Sequence, residues 1–290
     1  MSAAHQLVVL IDPVARRIDG ESVRIAKDVL CAGAQAKICW PQGPEEFARA
    51  LARRGGRRTV VVGDDQALLR TVTLLHRERE LDRGALALVP VGAADSLRLA
   101  RSLGVPMGAV AAARAVLEGA GRRLDLLVDD CDQVVLGALR VPALGPVRAR
   151  SASPLGAGSG SAGWGPTGSG PAGWGSTVWG TARSLVRTLV RAPAPVAATV
   201  AHRLRVEADG VLLSDLDQPV AGVSVASVNG LAQVEVRGCA GESARASARA
   251  VTISGPVGGF RYGADAVVGG PVRTRTWTAL AGAWELVLPT

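Results

Sequence analysis

Gly63-Asp64-Asp65-Gln66-Ala67 are the residues of this chain best placed to do chemistry. They follow the run Thr59-Val60-Val61-Val62 and precede a helical pattern. In that pattern Leu68, Leu69, Val72, Leu75 and His76 fall near the i, i+3, i+4, i+7 spacing of one face. A strand ending in a tight loop that opens a helix is a ready holder of phosphate, because free N–H groups point outward and the helix dipole is positive there. Two carboxylates alter that chemistry. Asp64 set against a phosphate about 4 Å away costs about 4 kcal/mol at an effective dielectric near 20, which is roughly a thousandfold in affinity. With a cation between them the repulsion becomes coordination, and Asp64 with Asp65 could hold Mg²⁺. Asp65 is therefore the metal candidate, although capping the next helix is an equally good role for it.

The elements that must position this loop alternate. Gln6–Ile11 reads as a buried strand, and Arg17 to Gly33 as a helix carrying Val23, Ile25, Ala26, Val29 and Leu30. Ala36–Trp40 is a second strand. Pro44 to Arg54 is a helix with acidic Glu45 and Glu46 in its first turn and basic Arg53 and Arg54 in its last, as the dipole favours. Leu86–Pro90 is a further strand, and Leu97–Leu103 and Met107–Leu117 are helices. Such alternation predicts a parallel sheet covered on both faces. After Leu124 the pattern changes to short alternating strands between Gly-rich turns. These are Leu124–Val128, Gln133–Val141, Arg203–Glu207, Val220–Val228, Leu231–Val236, Val251–Ile253, Phe260–Tyr262, Val272–Trp277 and Trp284–Leu288. They predict a mostly antiparallel β-sandwich domain. The division is thus 1–124, an α/β domain, and 125–290, a β domain interrupted at 151–180 by a Gly/Ser/Trp-rich stretch too poor in apolar residues to order itself.

Composition narrows the function. Aromatic residues are only 3% of the chain, so its core must be built from Val, Leu and Ala. The net charge of +8 suits an anionic partner, but no basic block or aromatic-interleaved motif accompanies it, and nucleic acid is not expected. Cys31, Cys39, Cys131 and Cys239 are too scattered for a zinc site or disulfide framework and read as buried reduced thiols. His76 lies on a helix face and reads as structural. No apolar run reaches the ~18 residues a membrane span needs, and no signal-type leader is visible, so a cytoplasmic location is expected. Arg183, Arg187 and Arg191 share one face of a helical pattern at 179–191. A basic helix of that kind can lie peripherally on an anionic membrane such as the inner membrane surface, or pack on its own domain with a solvated arginine edge.

In order along the chain, several segments resemble the diacylglycerol kinase catalytic family and the related NAD kinases. Asp12-Pro13 is similar to the family's Asn-Pro, and Val60–Leu68 to Val-Val-Val-Gly-Gly-Asp-Gly-Thr-Leu. Pro90-Val91-Gly92-Ala93-Ala94-Asp95 resembles Pro-Leu-Gly-Thr-Gly-Asn, and Leu99–Pro106 is similar to Phe-Ala-Arg-Thr-Leu-Gly-Ile-Pro. Leu204–Gly210 resembles the family's entry into its β-sandwich, and Asp265-Ala266-Val267 stands where Asp-Gly-Glu is usual.

The resemblance implies a nucleotide domain followed by a sandwich, and transfer of the ATP γ-phosphoryl to a diacylglycerol-like lipid hydroxyl with Mg²⁺. Nucleotide and lipid are then the partners, and ATP and Mg²⁺ the cofactors. It implies that Asp12, Gly63, Asp64, Asp65, Gln66, Ala67, Pro90, Gly92 and Ala93 line the nucleotide site, that Asp65 binds metal, and that Asp265 is catalytic. The departures fall on the loops. Asp64 and Gln66 replace glycines, and Gln66 costs roughly 1–2 kcal/mol if its position needs a left-handed backbone. Ala67 and Ala93 lack hydroxyls worth about 1 kcal/mol apiece. Val267 replaces a carboxylate. Two functions are consistent with these residues: a lipid kinase with impaired loops, or a non-catalytic relative that binds lipid, nucleotide or protein.

Overall fold

The computed structural model describes residues 6–143, 201–265 and 267–290. Met1–Pro146 and Thr199–Thr290 form one compact unit. The stretches 151–180 and 179–191 lie outside the described residues.

The first half alternates as expected: β1 (Gln6–Ile11), α1 (Pro13–Ile18), α2 (Gly20–Gly33), β2 (Gln35–Cys39), α3 (Pro44–Ala52), β3 (Arg58–Gly63), α4 (Asp65–Arg77), β4 (Leu86–Pro90), α5 (Arg98–Ser102) and α6 (Ala109–Glu118). The single helix expected from Arg17 to Gly33 is two. Asp19 leaves helical geometry at φ −147°, ψ 75°, and its carboxylate caps the second helix through Ser22 N–H at 3.0 Å.

Strands β4, β3, β1 and β2 lie side by side in that order, all parallel. Both faces of β1, β3 and β4 are buried, so these strands read as continuous apolar runs, whereas β2 at the edge is only partly covered. Leu7, Val9, Ile11, Val60, Val62, Ala87 and Val89 pack under α2 and α6 with Val23, Ala26, Leu30, Ala112 and Val116. Val8, Leu10, Val61, Leu86 and Leu88 face the other way, onto Phe47, Leu51, Leu68, Val72 and Leu75 of α3 and α4. Chain order reverses between β1 and β3, so the loops after these two strands flank a topological switch point, the usual ligand crevice of an open α/β sheet.

The second half is β: β5 (Ala120–Asp129), β6 (Val134–Val135), β7 (Ala138–Val141), β8 (His202–Arg203), β9 (Arg205–Ala208), β10 (Val211–Ser214), β11 (Pro219–Val228), β12 (Leu231–Gly238), β13 (Ser243–Ala248), β14 (Ala250–Ser254), β15 (Phe260–Ala264), β16 (Val267–Val272) and β17 (Thr274–Leu288). The two closing strands expected from the sequence are one. β17 runs through with a register irregularity between Leu280 and Trp284, where Gly282 takes φ +49°. Its far end pairs parallel with β4, and its near end pairs antiparallel with β14, so the last strand continues the first sheet. A second, antiparallel sheet runs β13-β12-β11-β7-β15-β16. Leu127, Val206, Val225, Val234, Val251, Ile253 and Trp277 fill the space between the two sheets. The fold is an α/β layer with a parallel sheet, followed by antiparallel sheets packed face to face.

The thiols do not follow expectation. All four cysteines are free, but Cys31, Cys131 and Cys239 are exposed, the last two in turns, and Cys39 is only half-buried, in β2. Among the described residues no helix is long and apolar enough to cross a membrane.

Candidate functional site

The loops after β1, β3 and β4 converge. A Cβ at Gly63 would lie 2.7 Å from Ala67 Cβ and 3.0 Å from Asp12 Cβ, and one at Gly92 would lie 2.8 Å from Ser96 Oγ and 3.1 Å from Asp64 Cβ. Neither glycine has a positive φ. Both are therefore used for close approach, and the loop is not a left-handed nest. Pro90 ends β4 opposite Gly63, and Val91 N–H donates to Gly63 C=O at 2.9 Å. Ala93 caps the short turn Ala94–Ser96 with its carbonyl. Seven of the expected positions (Asp12, Gly63, Asp64, Ala67, Pro90, Gly92 and Ala93) thus share one loop cluster, with Asp65 and Gln66 opening α4 beside it. Gly63→Ala is expected to cost about 1–3 kcal/mol through overpacking against Ala67 and Asp12, read as a lowered urea midpoint.

Each carboxylate in the cluster already has partners. Asp12 is buried; its Oδ1 accepts Val14 N–H at 2.7 Å, and its Oδ2 takes Arg70 Nη1 at 2.9 Å. Arg70 is steadied by the Phe47 ring, 5.7 Å away. Asp64 caps α4, with Oδ1 accepting Ala67 N–H at 3.1 Å. Gln66 belongs to α4 and its φ is not positive, so the backbone cost conditional on a left-handed position does not arise.

Asp65 is 3% exposed, and its two oxygens accept Leu99 N–H at 2.7 Å and Ala100 N–H at 2.9 Å. It caps α5, not the helix it opens. Asp265, at φ +48°, accepts Leu136 N–H at 2.6 Å and Gly137 N–H at 2.8 Å. Leu99 Cδ1 and Asp265 Oδ1 both lie within contact distance of a Cβ at Gly137, so the two aspartate clamps abut. Asp125, Asp129 and Asp209 each bind two backbone N–H groups in the same way. Five aspartates of the described residues thus clamp pairs of backbone N–H groups.

Burial pushes the Asp65 and Asp265 carboxyls above their usual range, against the pull of their N–H donors. The Asp64 charge adds to the rise at Asp65, and the Asp65 charge to that at Asp265. The folded state then holds these protons more tightly than the unfolded chain. Their contribution to stability is full below the ordinary carboxylate pKa and is lost as pH rises through the raised values. Asp265→Asn tolerates the positive φ and removes one such group. Relative to that variant, the wild type should lose stability as pH rises across this window and then level off, as urea midpoints over a pH series will show.

Mg²⁺ does not fit these residues. It keeps several waters and demands near-octahedral space, whereas Asp65 is enclosed, with each oxygen held by a backbone N–H and no room for a hydrated ion, and Arg70 pairs with Asp12. Asp129, Asp130 and Cys131 also bring ligand-type atoms together, but Arg275 Nη1 lies 3.1 and 2.7 Å from the two carboxylates and supplies their counter-charge.

An open cavity of about 480 Å³ adjoins the cluster. Gln66, Leu69, Arg70, Thr73, Leu74 and Arg77 form one wall, with Gln133, Val267 and Val268 completing it. The α4 residues recur at i, i+3, i+4, i+7, i+8 and i+11, a second face of the helix whose other face is core. Of the positions expected from the sequence only Gln66 reaches this cavity. The spacing was visible in the sequence, but apolar periodicity selects the buried face and passes over a mixed one.

No family model matches the sequence, and no curated protein does. Solved structures do. One described as a diacylglycerol kinase from Bacillus anthracis str. Sterne superposes with a TM-score of 0.67 at 13% identity, covering 99% of this chain and 98% of that one. A second from the same organism, with the same assignment given provisionally, reaches 0.68 at 13% identity over 99% and 98% of the two chains. At that identity the likeness is one of fold, and it spans both halves in one alignment. From the parallel sheet at its start to the last strand that rejoins it, this chain has the diacylglycerol kinase fold.

Proposed function

We propose that this chain uses a lipid-kinase scaffold to bind a ligand and does not transfer phosphoryl groups. The observation that carries this is the Asp64 carboxylate seated on Ala67 N–H at 3.1 Å. An anion entering the loop must displace a carboxylate from a donor it needs and then sit beside that charge. A bridging cation would relieve the conflict, but Asp65 is committed to α5. Under this reading ATP and Mg²⁺ are not cofactors, the location is cytoplasmic, and any membrane contact is peripheral.

The second reading, ATP-dependent phosphorylation of a diacylglycerol-like lipid, is favoured by the likeness of fold. Purified protein incubated with radiolabelled Mg-ATP and diacylglycerol in mixed micelles separates the two. No labelled lipid above the protein-free control is expected, and no heat from an ATP titration. Label appearing in lipid in proportion to protein concentration supports the kinase and ends the binding-only reading.

A further inference from the structure

The cavity on the second face of α4 carries an arginine that forms no ion pair among the described residues. Arg70 is paired with Asp12 at 2.9 Å. Arg77, two helical turns further along, is exposed and has no ion pair or side-chain hydrogen bond among the described residues. The stretch 144–200 holds five arginines, Arg148, Arg150, Arg183, Arg187 and Arg191, and no Asp or Glu that could serve. Among the described residues the walls therefore present one net positive charge. Around it stand Leu69, Leu74, Val267 and Val268, and the two valines are about half exposed, at 48% and 53%. Gln66, Thr73 and Gln133 supply uncharged hydrogen-bonding groups.

We infer that this cavity binds a singly charged organic anion with an apolar body, an aliphatic monocarboxylate, directly on Arg77 and without a metal ion. The inference rests on reading the site as one of binding, not transfer. Charge counting decides between anions. A nucleoside triphosphate brings several negative charges to a wall that, among the described residues, offers one uncompensated cation, whereas a monocarboxylate matches it. The guanidinium presents a planar fork that a carboxylate meets in two hydrogen bonds. The volume lies within the range of small-molecule pockets, which are mostly apolar with a few placed polar groups. Leu69 and Leu74 also pack on the core behind them, so the floor under the ligand's chain is held in place.

Calorimetric titration of full-length protein with decanoate, below its micellar range and with excess EDTA present, tests this. One-site binding is expected, with no binding of 1-decanol under the same conditions. Arg77→Gln should weaken decanoate at least about tenfold. The Arg77 side chain makes no hydrogen bond or ion pair among the described residues, so its loss should leave the thermal melt little changed. Val268→Glu, which sets a carboxylate in the cavity's lining, should abolish binding. Equal affinity for decanoate in wild type and Arg77→Gln, equal affinity for decanol, or binding only when a divalent cation is added would each overturn the inference. Because the readout is carboxylate binding, its failure is distinct from any appearance of label in lipid, which bears on phosphoryl transfer alone.

Discussion

Replacing Asp64 by glycine should raise the affinity of this protein for ATP by about two to three orders of magnitude. In the wild type the Asp64 side chain acts twice against an incoming phosphate. Its charge repels, and its Oδ1 occupies Ala67 N–H, one of the outward donors at the start of α4. Glycine removes both. The cost to folding is small, because glycine is a tolerated N-cap and loses only a few tenths of a kcal/mol relative to Asp. Space opens too, since Asp64 Cβ lies against Gly92. Asp64→Asn divides the effect. It keeps the cap and removes the charge, so it recovers most of the gain if repulsion dominates and little if occupancy of the donor does. Calorimetric titration of both variants with ATP reads this directly. Unchanged affinity in both would mean that the loop after β3 is not an anion cradle at all.

Asp65→Ala should destabilise the fold by about 2–6 kcal/mol, because two N–H groups lose their acceptor and each unsatisfied buried donor costs about 1–3 kcal/mol. The donors, Leu99 and Ala100, belong to a helix of one turn that has no other cap. Leu99 also packs in the core beneath it, so fraying of α5 would expose apolar surface as well. Relief of the buried charge offsets part of the loss, since burial already holds this carboxyl above its usual range. Asp265→Ala should fall in the same range, with roughly 1–2 kcal/mol added for alanine at a left-handed backbone. Urea melts in metal-free buffer give the answer. A metal-binding Asp65 predicts the reverse, a variant as stable as wild type or more so, since removing a ligand relieves an uncompensated charge.

Much of this molecule was legible in its residues. The apolar runs at Val8–Ile11 and Val60–Val62 read as buried strands, and helical patterns between them as covering helices. The strand-loop-helix at Gly63–Asp65 was readable for the same local reason. Elements that build little apolar contrast were not. β13, Ser-Ala-Arg-Ala-Ser-Ala, alternates correctly but with side chains too small to signal it. The expected break between Val272–Trp277 and Trp284–Leu288 proved to be a single strand, because a register irregularity keeps pairing continuous where local composition suggests a turn.

What the sequence determined by itself was the set of elements and the presence of acidic residues at the loop that follows β3. Only the tertiary structure decided what those residues do. A carboxylate's role depends on which donors lie within about 3 Å of its oxygens, and for Asp65 and Asp265 those donors come from residues 34 to 129 positions away in the chain. Side-chain type names a capacity for hydrogen bonds and charge. Long-range packing chooses the partner, and here it seats the carboxylates of Asp65 and Asp265 on backbone N–H groups far along the chain.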